Sequence, residues 1–197
     1  MGGFGAIHFG MTAPDVFSVV YAISPCCLDA TEDIGWGNLA AWKTALALEN
    51  DAAVGAALQR GDFYPVAIVG FLSATAPNPA ARLRVDFPIR VVRGELMPEE
   101  PAYTRWRDGF PLQHVDASRA NLRRLRAFWI DVGLSDQFAH IPPSVEAFSQ
   151  ALSRNRIPHV LDIYEGEHHD IGDRLATIIL PLSFMTVFLP NLAARGR

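Results

Sequence analysis

Charge is scarce in this sequence, and so are cysteines and long apolar runs. Only 19% of the residues are charged and the formal balance is −4, a mild acidity that gives no basis for a nucleic-acid or anionic-membrane partner. The two cysteines, Cys26 and Cys27, are adjacent. A disulfide between neighbours is strained, so they read as buried thiols and carry no message about compartment. The most apolar run, Ile178 to Pro190 (IILPLSFMTVFLP), is broken by Pro181 and is shorter than the roughly 20 residues that span a bilayer. It reads as a buried helix. The opening residues do not carry the zones of a secretory leader, and the compartment, cytoplasmic or exported, is left open. No internal repeat or low-complexity tract is present. Disorder is excluded as well, because half of the residues are apolar. A chain of 197 residues suits one domain with a proper core.

Glycine, by contrast, is concentrated at the start. Gly2, Gly3 and Gly5 precede Ala6, Ile7, Phe9 and Met11, a pattern that predicts a helix whose first turn lies flat against a neighbour. Each glycine weakens a helix by about 1 kcal/mol relative to alanine. Three of them make sense where the backbone must approach something closely, as at the sharp strand-to-helix turn of a nucleophile.

Val16 to Ser24 is a nearly unbroken apolar, β-branched run, expected as a parallel strand covered on both faces. Residues 26 to about 118 read as a mostly helical excursion. Asn38 is placed to cap a helix through Leu48, Ala52 to Arg60 forms another, and Phe63 to Thr75 a third with Pro65 in its first turn. Pro77, Pro79 and Pro88 hold an extended passage, and Tyr103 to Phe110 is helical again. Arg119 to Leu125 is an amphipathic turn leading into a second buried strand, Arg126 to Gly133. Ser144 is expected to cap a helix carrying Val145, Phe148 and Leu152. Ile157 to Tyr164 is a third strand, followed by the polar loop 165–170 and a closing, proline-broken helix over Ile171 to Leu189. Strand, helix, strand, loop, helix points to an α/β layered sheet, and ligands gather at the carboxyl ends of such strands.

Three stretches together resemble the "Putative esterase" branch of the α/β-hydrolases, which holds esterase D, feruloyl esterases, enterochelin-esterase-like proteins and mycolyltransferases. Met1-Gly2-Gly3-Phe4-Gly5-Ala6 is similar to the second half of Gly-x-Ser-Met-Gly-Gly-x-Gly-Ala. Asp131-Val132-Gly133-Leu134-Ser135-Asp136 is similar to Asp-Val-Gly-x-x-Asp, and Tyr164-Glu165-Gly166-Glu167-His168 to Tyr-x-Gly-x-His. They occur in family order over essentially the whole chain. The resemblance implies the C-terminal part of an α/β-hydrolase fold, about three parallel strands with flanking helices. The N-terminal strands and the nucleophile strand are then expected to be missing, and the excursion to overhang the active site. It carries the acid to Asp136 and the base to His168, and puts the nucleophilic serine immediately before Met1, whose nitrogen stands where an oxyanion donor is needed. A serine hydroxyl needs a base to take its proton, the imidazole needs a carboxylate to hold its tautomer, and the oxyanion needs donors. No cofactor is implied, and the partner is a small-molecule ester.

Other readings stand beside these. Asp136 also suits a turn, Asp131 is a rival acid inside the strand, and His169 a rival base. His168, His169, Asp170 and Asp136 can be read as metal ligands, although adjacent histidines rarely converge on one ion. His8, His114, His140 and His159 read as core or surface residues. Trp36 and Trp42, like Tyr64 and Trp106, are candidates to line an acyl or aromatic pocket, or else core. The leading expectation is a serine esterase whose given chain, lacking the nucleophile, is inactive. The alternatives are a non-catalytic binding protein or remnant on the same scaffold, and an acyltransferase that uses an alcohol where the esterase uses water.

Overall fold

Local chemistry accounts for most elements along the chain. The computed structural model describes residues 1–168 and 170. They form α1 (Gly2–Thr12), β1 (Val19–Ile23), α2 (Leu39–Ala47), α3 (Asp51–Gln59), α4 (Phe63–Thr75), β2 (Ile89–Val92), β3 (Glu95–Pro98), α5 (Ala102–Arg107), α6 (Arg119–Leu122), β4 (Ala127–Gly133), α7 (Ile141–Arg154) and β5 (Val160–Tyr164). The expected closing helix and the rival base His169 lie outside the described residues. Two compact units result: Met1–Leu28 with the described residues from His114 onward, and Asp29–Gln113.

The larger unit is α/β, with a parallel three-stranded sheet in the order β1-β4-β5. Register pairs Val20 with Phe128 and Ile23 with Asp131 on one side of β4, and Ile130 with Leu161 and Gly133 with Tyr164 on the other. Side chains alternate across a strand, so Val20, Ala22, Phe128, Ile130 and Val132 share one face, and all five are buried. Two helices meet that face. Gly10 of α1 brings its backbone onto Val20, and Phe148 of α7 sets its ring edge-on to Phe128 with centroids 6.4 Å apart. Fully burying side chains of this size stabilises by about 1.5–3 kcal/mol each. The opposite face carries Tyr21 stacked on Trp129 and the buried carboxylate of Asp131, which accepts from Tyr21 Oη at 3.0 Å.

The smaller unit is built from capped helices. The Asn38 and Asn50 side chains accept from Ala41 N and Ala53 N, both at 3.0 Å, opening α2 and α3. Such caps contribute about 1 kcal/mol each. Trp42, Trp106 and Phe110 form its aromatic core, Trp106 meeting both partners edge-on.

Four expectations need correction. The first strand begins at Val19 rather than Val16, because Val16 N and Phe17 N both donate to Ala13 O and fold that segment back on the end of α1. The proline-held passage contains a hairpin, β2 and β3, joined by Arg93 and Gly94 at φ 51° and 89°. Positive φ at both central residues is the geometry of a two-residue hairpin turn. Ser144 does not cap α7. The helix starts three residues earlier on Ile141-Pro142-Pro143, where proline is tolerated because those N–H groups have no helical partner, and Ser144 Oγ donates to Ile141 O. Finally, Cys26 and Cys27 are half-buried rather than buried.

Candidate active site

Parallel register brings the carboxyl ends of β1, β4 and β5 to one edge of the sheet. The loops that leave β4 and β5 there are tied to each other by their backbones. Leu134 N donates to Tyr164 O and Ser135 N to Gly166 O, each at 2.9 Å. They lie so close that a Cβ on Gly133 would stand 2.4 Å from Gly166 O, which no side chain tolerates.

This tie delivers Asp136 and His168 to one another. Asp136 Oδ1 accepts from Phe138 N at 3.0 Å, and His168 Nδ1 lies 2.8 Å from Asp136 Oδ2. The Asp136 carboxylate is fully shielded from solvent, whereas the His168 ring is 19% exposed. A carboxylate facing Nδ1 keeps the proton on that nitrogen and the lone pair on Nε2, so the ring can take a proton from a hydroxyl placed before it. Phe138 closes one side of the imidazole, edge-on at 5.1 Å between centroids.

The amino end of α1 reaches the same edge. A Cβ on Gly3 would lie 2.7 Å from Ile23 O and 2.8 Å from Pro25 Cα, the close approach that the glycine-rich opening anticipates. Gly2 and Gly5 have no such neighbour within 4 Å. Met1 stands at the N-cap, with its carbonyl accepting from Gly5 N and its Sδ 3.3 Å from Cys26 Sγ. The partial positive charge of a helix N-terminus is therefore directed at this edge.

The other sequence candidates lie on other elements of the chain. Asp131 lies in the strand and is buried, accepting from Ser24 N as well as from Tyr21. Trp42 is buried in the smaller unit with its Nε1 donating to Gly35 O at 3.0 Å, and Trp36 in that unit is 41% exposed beside Tyr103. Among the described residues, no group of three or more His, Cys, Asp and Glu side chains is arranged to hold a metal ion.

One cluster escaped sequence reasoning. Cys26 lies just after β1, 3.1 Å from Cys27 Sγ. Its thiol is lowered from 9.0 to about 4 by the hydrogen bond from Cys27, against the opposing effect of burial, with further help from His140 and the Met1 amino group. His140 is 97% shielded at the start of α7. Its place between a polar loop and a Pro-Pro helix start was the one hint available.

The family described as "Putative esterase" matches residues 1–171. Among solved structures, the chain is similar to a ferulic acid esterase at 18% identity, covering 94% of this chain and 48% of that one with a TM-score of 0.47. It is also similar to E-2-(acetamidomethylene)succinate hydrolase at 16% identity, covering 94% and 63% with a TM-score of 0.38. The chain thus spans about half the length of the first structure and under two thirds of the second. No curated protein matches the sequence.

Proposed function

Since this chain belongs to the "Putative esterase" family, we propose that it is the acid–base part of a serine hydrolase acting on carboxylic esters. The observation that carries the reading is the 2.8 Å contact between Asp136 Oδ2 and His168 Nδ1 at the carboxyl edge of the parallel sheet. In this reading Asp136 orients the imidazole and stabilises its charged form. His168 Nε2 removes the proton of a serine hydroxyl as its oxygen attacks the ester carbonyl, and returns that proton to the leaving alcohol. The acyl-serine is then cleaved by water whose proton passes to the same nitrogen. In this reading the backbone N–H groups at the amino end of α1, with the nitrogen of Met1 first, stabilise the developing oxyanion, worth about 3–4 kcal/mol for one donor.

In this reading the nucleophile is the serine of the family pattern, at the position before Met1. The test joins Gly-x-Ser, with the strand that precedes it in the family, to the nitrogen of Met1 and measures hydrolysis of a short-chain p-nitrophenyl ester. Turnover that disappears on changing that serine or His168 to alanine supports the reading. Turnover indifferent to His168→Ala contradicts it.

A further inference from the structure

We propose that Cys26 is a nucleophilic thiol oxidised by hydrogen peroxide, with Cys27 as the partner that closes a reversible disulfide between neighbours. The oxidation does not rest on the ester reading, although Met1 borders both sites.

The geometry is specific. The turn that leaves β1 holds Ser24 at φ 36° and Cys27 at φ 59°, two non-glycine residues in the left-handed region within four positions. Such conformations persist where the surroundings enforce them, commonly at working sites. The consequence is that the two sulfurs lie 3.1 Å apart, in hydrogen-bond contact, with the thiol of Cys27 donating to Cys26. Met1 Sδ stands 3.3 Å from Cys26 on another side, and His140 is a further group that lowers its thiol. A cysteine that merely fills a core has apolar neighbours and a raised proton affinity. Here the first group acting on Cys26 is the Cys27 thiol, with an imidazole behind it, and they lower its thiol against the opposing effect of burial. Both cysteines are half-buried, so a small oxidant can reach them.

The chemistry balances in two steps. The Cys26 thiolate attacks one peroxide oxygen, forming S–O and breaking O–O; sulfur loses two electrons and the departing hydroxide takes a proton to become water. The Cys27 sulfur then attacks the sulfenic sulfur, forming S–S and breaking S–O, and the oxygen leaves as water with the Cys27 proton. A disulfide between neighbours is strained and therefore readily reduced by a thiol, which makes the modification reversible. Phe138 connects this site with the acid–base pair, its ring centroid 6.3 Å from that of His140 and 5.1 Å from that of His168.

The test treats the purified chain with equimolar hydrogen peroxide and follows intact mass and alkylatable thiols. The wild type should lose two hydrogens and both thiols, and dithiothreitol should restore them. Cys27→Ser should instead gain one oxygen at Cys26, trapped by dimedone, and Cys26→Ser should leave Cys27 reduced. Without oxidant, iodoacetamide should alkylate Cys26 at a nearly constant rate between about pH 6 and pH 8, where an ordinary thiol speeds up about tenfold per unit. His140→Gln should move upward the pH at which that alkylation falls off, read below about pH 6. A Cys26 rate that climbs like an ordinary thiol's overturns the proposal and requires no substitution to observe. So does a wild-type chain that keeps a dimedone-reactive Cys26 beside an alkylatable Cys27.

Discussion

Gly3 and Ile23 are in such close contact that a single methyl group added to the glycine would stand 2.7 Å from the Ile23 carbonyl oxygen. The obstacle is backbone on both sides, since Pro25 Cα is 2.8 Å from the same point, so α1 itself must retreat from the end of β1. Gly3→Ala is expected to destabilise the chain by about 1–3 kcal/mol. Gly5→Ala, with nothing within 4 Å, should be neutral or stabilising by up to about 1 kcal/mol through helix propensity. Urea melts of the two variants measure the difference; equal effects would mean that α1 does not seat as described.

Gly133→Ala should act on the contact between Asp136 and His168 through the backbone. The added methyl meets Gly166 O at 2.4 Å, so the loops must separate and the bond from Ser135 N to Gly166 O is strained or lost. Destabilisation of about 1–3 kcal/mol is expected. The downfield proton resonance of His168 Nδ1–H, the signature of its contact with Asp136, should also weaken. A variant that melts earlier yet keeps that resonance unchanged would separate folding from site geometry and contradict the coupling.

Asp136→Asn tests the orientation of the imidazole. Its carbonyl oxygen can still accept from Phe138 N, while its amide nitrogen faces His168 Nδ1 and favours the proton on Nε2, the wrong nitrogen for a base. With the serine joined before Met1, ester turnover should fall by about 10⁴-fold with the melting temperature little changed. A loss of less than about tenfold would remove Asp136 from the mechanism.

The Cys26 thiol also links stability to pH. Its value is about 4 in the folded chain against an ordinary 9.0, so between those limits the unfolded chain binds a proton that the folded chain does not, and stability rises with pH. The advantage of wild type over Cys26→Ser is therefore complete above about pH 9, shrinks through the window and is gone below about pH 4. Urea midpoints at about pH 5 and about pH 8 should show the gap widening upward; a constant gap would place the thiolate elsewhere.

Features written in neighbouring residues were legible before any coordinates. The Asn38 cap, the Phe63–Thr75 helix with its early proline, and the crowded glycine at the start all depend on contacts within a turn or on one backbone approach. The β2–β3 hairpin escaped notice because its strands are four residues each and partly polar, so the prolines around it dominated the reading. Asp136 and His168 stood out through family motifs rather than through periodicity, and no local pattern brings residues thirty-two positions apart to 2.8 Å. The environment of Cys26 is harder still: it is assembled from residues 1, 27 and 140, and only the folded sheet edge makes them neighbours.

The parallel sheet places a further demand on the cell. Val19 must wait for Ala127, more than a hundred residues later, before its strand has a described partner. At a synthesis rate of about 5–20 residues per second, that is roughly 5–20 s of exposure on the ribosome. During that interval β1 lacks the partner that the described residues give it. Chaperone supply during translation, more than the final strength of the sheet, should therefore govern how much of this protein a host recovers.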